Sequence, residues 1–197
     1  ATAGASRLES NDKRHLIEAF FAKRAGDDKI DVHAEGQLMM RAIKNPGNTA
    51  WDCSINPQPT LEDLTSSIAR AKQRNTRLLH LSGHGNEEHG FVWNADDKAE
   101  ESREFDMEAI CVAIGSVAGE QGPLECASLG ACSTYKMGLL LRQRGVPFVV
   151  CWRTPVQDET AREFVEGFVR DLVEVQGPGS RDYPRAFFAA ANALRLS

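Results

Sequence analysis

An α/β domain, with a mostly parallel central sheet covered by helices on both faces, is the fold this sequence predicts. Three observations carry that expectation. Helical and strand patterns alternate regularly from Thr60 onward. The run from Val146 to Trp152 is apolar at nearly every position instead of alternating, as in a strand covered on both faces. A length of 197 residues with 42% hydrophobic content is enough for one substantial core and short for two. The chain therefore reads as a single domain, 1–197, with 1–14 expected to form a flexible N-terminal segment.

The elements follow in order. Leu16, Ile17, Phe20 and Phe21 fit a helix by spacing, yet a sheet of this kind needs its first strand here, before a helix over Glu35 to Lys44, so the strand is preferred. Ala50 to Ile55 reads as a second strand. Thr60 caps a helix whose Leu61, Leu64, Ile68 and Ala71 form one apolar stripe. Arg77 to Ser82 is then a short strand, ended by Gly83-His84-Gly85. Asp106 caps the next helix, with Met107, Ile110, Ala113, Ile114 and Val117 on one face, and Leu124 to Ala131 is a strand rich in small residues. Tyr135 to Arg144 is helical, with Gly145 as its left-handed terminator and Pro147 just beyond. After the strand Val146 to Trp152, Asp158 caps a long helix, and Asp182 with Pro184 starts the last one.

Composition excludes several function classes. A formal net charge of −5 leaves no basic field for a phosphate backbone, so nucleic acid is not an expected partner. The apolar runs fall far short of the roughly 20 residues that cross a bilayer, so neither a membrane partner nor a membrane location is expected. Five cysteines, an odd number at irregular spacing, do not form a secreted disulfide framework and point to free thiols in a reducing, cytoplasmic compartment. Without a C-x-x-C pair or a Cys/His group at zinc spacing, neither metal nor other cofactor is expected.

In an open parallel sheet, ligands bind beyond the carboxyl ends of the strands, and two such ends here carry reactive groups. His84 follows the strand Arg77 to Ser82, between glycines that free the backbone to turn. Cys132 follows the next parallel strand, at the start of a helix whose dipole favours a thiolate. Neighbouring strands would put both in one cleft, with Cys132 as nucleophile and His84 as acid/base partner. The backbone N–H groups of Gly85 and Cys132 would face the oxygen of a tetrahedral intermediate, an oxyanion hole.

His80-Leu81-Ser82-Gly83-His84-Gly85 followed by Ser128-Leu129-Gly130-Ala131-Cys132-Ser133 resembles the caspase-like peptidases, most closely their CHAT branch, which is also similar to separase. An Ala-Cys pair with its His about 50 residues upstream is the caspase spacing. Leu139 to Trp152 with Pro155-Val156-Gln157-Asp158, and Asp31-Val32-His33-Ala34-Glu35 earlier, resemble the flanking parts of CHAT domains, so the resemblance spans residues 15–195. It implies a caspase-like three-layer sandwich, a Cys/His dyad at Cys132 and His84, and a protein or peptide substrate. Regulatory domains or partner proteins outside this chain are also implied. Two positions depart from the pattern: Ser133 replaces a common acidic residue and Gly130 replaces a side chain two residues before the nucleophile.

Blander roles compete at several positions. His80, His84 and His89 could be drawn as a zinc triad, but the intervening glycines oppose the helix that would make them converge, and His80 reads as a packed strand residue. Cys53, Cys111, Cys126 and Cys151 read as inert buried thiols. Asp158 is a helix cap that also matches an acidic position of separase-like relatives, which makes it a substrate-pocket residue as well. Trp152 and Arg153 shape the pocket wall or merely pack. A basic residue before the cut follows if Asp158 faces the cleft, an acidic one if Arg153 does. The alternative function is a catalytically idle caspase-like module that binds or scaffolds a partner.

Overall fold

The computed structural model describes residues 14–22, 31–48, 50–86, 90–92, 106–175 and 181–195. Five strands, β1 (His15–Ala22), β2 (Trp51–Asn56), β3 (Thr76–Asn86), β5 (Cys126–Gly130) and β6 (Phe148–Val150), pair in parallel in the order β2-β1-β3-β5-β6. A short strand, β4 (Gly90–Val92), pairs antiparallel with the far end of β3. Six α-helices accompany them among the described residues: α1 (Val32–Ile43), α2 (Leu61–Arg74), α3 (Met107–Gly115), α4 (Tyr135–Gln143), α5 (Asp158–Arg170) and α6 (Tyr183–Leu194). A π-helical stretch at Asp171–Val175 continues α5. The expected flexible segment lies outside the described residues except for Arg14, which pairs with Asp52 at 2.6 Å.

The result is three layers. Ile17, Ala19, Phe21, Leu78 and Cys126 pack with α1, α5 and α6 on one face of the sheet. Phe20, Ala22, Leu79, Leu81, Ala127 and Leu129 pack with α2, α3 and α4 on the other. β1 is buried at both parities, Glu18 included, because it lies between β2 and β3 with both faces covered, and the apolar residues this calls for on both faces give it a helix-like spacing. Thr60 and Asp63 form a reciprocal capping box at the start of α2, while Asp106 and Asp182 cap α3 and α6 through their side chains.

Three expectations need correction. The apolar run Val146 to Trp152 yields only the three-residue edge strand Phe148–Val150, because Pro147 interrupts it and Cys151 and Trp152 leave the sheet. Asp158 is the first residue of α5 and not its side-chain cap; Gln157 holds the cap position, without a side-chain bond. β3 does not end at Ser82 but continues to Asn86 as one arm of a hairpin with β4. The pivot is Gly83, where φ is +151° and a Cβ would stand 2.3 Å from the Ala22 carbonyl oxygen. Only glycine fits there.

Candidate active site

Strand pairing sets the site. His80 pairs with Ser128 and Ser82 with Gly130 across β3 and β5, and the same offset of 48 residues relates His84 to Cys132. Each stands two residues beyond the last β3–β5 pair, Ser82 with Gly130, and His84 there pairs with Val92 of β4 instead. His84 is half-buried on the hairpin arm opposite Val92, with Gly85 opposite Phe91. Cys132 is half-buried in the turn between β5 and α4, three residues before the helix begins.

The loop after β6 closes over that turn. The Cys132 Sγ accepts from the Val156 N–H at 3.4 Å and donates to the Val156 carbonyl at 3.5 Å. Thr134, fully buried, donates its hydroxyl to the Ala131 carbonyl at 3.0 Å and accepts from the Trp152 N–H at 3.2 Å. The Trp152 ring packs edge-on against Phe164 of α5, so its side chain serves the core. The other four thiols are also free, and burial pushes all four up: Cys53 and Cys111 to about 12, Cys126 well above its ordinary value, and Cys151 above it.

Arg153 and Asp158 separate. The Arg153 guanidinium lies over the Tyr135 ring, 5.7 Å from its centre, at the start of α4. Asp158 instead stands on the α1 side: its carboxylate is 3.0 Å from Arg162, one turn on, and accepts from the Asp31 N–H. Burial raises the Asp158 pKa, with Glu35 and Asp31 adding to the rise and Arg162 opposing it.

Sequence reasoning missed a buried polar network beneath this end of the sheet. Glu35 of α1, 2% exposed, takes His80 Nε2 at 2.9 Å on one oxygen and the Ser82 hydroxyl at 2.6 Å on the other. His80 Nδ1 lies 3.1 Å from the Ser128 hydroxyl on β5. A side chain at Gly130 would press on this network, since its Cβ would stand 3.1 Å from both His80 Cε1 and Ser82 Oγ. The available signal was parity: His80 and Ser82 fall on one face of an otherwise apolar strand. His80 is thus a core residue, as expected. His89 lies outside the described residues, and among those no His/Cys/Asp/Glu group is arranged to hold a metal ion.

An open parallel sheet in three layers, with a cysteine turn and a histidine arm leaving adjacent strands, defines the caspase-like class of α/β architecture. The family model of the CHAT domain matches residues 18–182, and the chain belongs to that family. None of the curated proteins compared with it matches. Among the described residues no helix is long and apolar enough to cross a membrane.

Proposed function

We propose that the chain is a cysteine endopeptidase that cleaves protein or peptide substrates through Cys132 and His84. The observation that carries this reading is the parallel pairing of β3 with β5, whose last pair, Ser82 with Gly130, lies two residues before His84 on one strand and two before Cys132 on the other. His84 takes the thiol proton, and the Cys132 sulfur attacks the scissile carbonyl carbon. The Gly85 and Cys132 N–H groups hold the resulting oxyanion. The C–N bond breaks as His84 returns the proton to the leaving amine, giving a thioester. His84 then deprotonates a water that hydrolyses the thioester, and the sulfur leaves as the thiol. Because a side chain activates the water, the chemistry needs no Lewis acid, and a chelator should leave turnover unchanged.

Asp158 has the Asp31 and Glu35 carboxylates nearby against one Arg162, which leaves an excess of acidic groups on the α1 side, whereas Arg153 lies over Tyr135. A basic residue before the cut, Arg above Lys, fits that charge. Five free thiols suit the reducing cytoplasm, and nucleic acid and membrane stay outside the proposal. Regulatory regions beyond the chain would govern access to the cleft.

The contact of Cys132 with Val156 favours one second reading: a module whose loop never lifts would bind partners without cutting them. A peptide library incubated with the wild type, Cys132→Ala and His84→Ala separates the two. Cleavage by the wild type alone supports the peptidase; no cleavage, with no labelling of Cys132 by a thiol-reactive peptide, supports the idle module.

A further inference from the structure

Thr134 occupies the N-cap position of α4, where a threonine hydroxyl ordinarily accepts from the first free N–H groups of its own helix. Here it makes no such bond. The hydroxyl turns backward instead, donating to Ala131 O at 3.0 Å and accepting from Trp152 N at 3.2 Å. Both partners matter. Ala131 immediately precedes Cys132, and Trp152 opens the loop whose Val156 flanks the sulfur. Between the two ends of this bridge sits Ser133, whose φ of +53° is a left-handed conformation that costs a residue bearing a Cβ about 1–2 kcal/mol. A turn holding such a residue relaxes unless its flanks are fixed. Thr134, with no exposed surface, is the flank that is fixed.

We propose that Thr134 is a positioning residue: its single hydroxyl locks the strained Cys132 turn to the loop after β6, setting the sulfur and the cleft wall together. The proposal rests on the peptidase reading for its turnover arm alone. Without the hydroxyl, the Ala131 carbonyl and Trp152 N–H lose their shared partner. The turn relaxes and Val156 draws away from the sulfur.

The test uses the full 197-residue chain with Thr134→Val, which keeps the shape and removes the hydroxyl, and Thr134→Ser, which keeps the hydroxyl. In Thr134→Val, peptide turnover falls about tenfold to a hundredfold, mainly in kcat, as a misplaced nucleophile predicts. Iodoacetamide, read by mass spectrometry, modifies Cys132 faster relative to Cys151 in the same molecule. Thr134→Ser restores both values. General loosening would speed both cysteines alike, and an unchanged ratio in folded Thr134→Val overturns the proposal. If that variant does not fold, hydrogen exchange of the wild type decides: the Trp152 amide must exchange far more slowly than those of Arg153 and Thr154, and equal rates overturn the bridge. Should the wild type cleave nothing, the peptidase reading falls, while the alkylation ratio and the exchange rate still judge Thr134.

Discussion

The Val156 backbone holds the Cys132 sulfur on two sides, its N–H at 3.4 Å and its carbonyl at 3.5 Å. An N–H that donates to the sulfur and a carbonyl that accepts from it tie the turn after β5 to the loop after β6 on both sides of one atom. Any molecule that approaches the sulfur along that side must first displace the Val156 backbone.

Replacing Cys132 or His84 by alanine should abolish peptide cleavage and preserve the circular dichroism spectrum, because both residues are only half-buried and lie beyond the β3–β5 pairing. Undiminished turnover in either variant would refute the assignment.

Thiol chemistry should discriminate among the five cysteines. With burial pushing Cys53 and Cys111 up to about 12, both stay in the unreactive thiol form at a pH near 8. Alkylation of the native protein should reach Cys132 first, and Cys53 labelling as fast as Cys132 would contradict this order. After denaturation without reductant, all five thiols should take label, because all are free.

Asp158 should show a trade-off between stability and activity. Its folded pKa is raised, so its favourable contribution is present below the unfolded carboxyl pKa and is lost as pH rises through the folded value. Asp158→Asn mimics the protonated form and should raise Tm at pH 7, the gain vanishing in acid. Turnover of Arg substrates should fall in the same variant, and by well over about tenfold in Asp158→Lys. If Arg turnover survives both changes, Asp158 lies outside substrate recognition.

Glu35→Ala should destabilise the fold by about 2–5 kcal/mol, because it strands His80 Nε2 and the Ser82 hydroxyl in the interior. Urea denaturation gives the value. A loss below about 1 kcal/mol would mean that water replaces the carboxylate.

Two glycines should respond differently to alanine. At Gly145, φ is +92° and a Cβ would meet nothing within 4 Å, so only left-handed strain of about 1–2 kcal/mol remains. At Gly83 the clash with Ala22 O adds to an equally unfavourable φ. Gly83→Ala should therefore lower Tm far more than Gly145→Ala; equal losses would show that the Ala22 end of β1 yields freely.

Local patterns made most of the fold legible. The capped helices α2, α3 and α6 and the strand β5 fall within two residues of their expected positions, since caps, stripes and small-residue runs are written in consecutive residues. β4 was not legible, being three residues long and defined only by its partner on β3. The adjacency of the β3 and β5 ends was a condition that the sequence left open and that the parallel pairing of the two strands supplies; Glu35 and Thr134 were not legible at all. Glu35 finds His80 across 45 residues, and Thr134 meets Trp152 across 18, through packing that no local pattern encodes. Asp158 was misread because α5 begins one residue earlier than the cap pattern implies, which leaves Gln157 at the cap position and Asp158 in the first turn.

The chain order of these parts gives the site a birth date. Val156 lies 24 residues downstream of the sulfur it flanks, so a ribosome adding about 5–20 residues per second leaves the cysteine without that neighbour for about 1–5 seconds. The helices α5 and α6, which finish one whole layer, arrive later still. A nascent polypeptide therefore carries the thiol well before it carries the surroundings that orient it, and a chain stalled short of the loop after β6 lacks the backbone that flanks the sulfur.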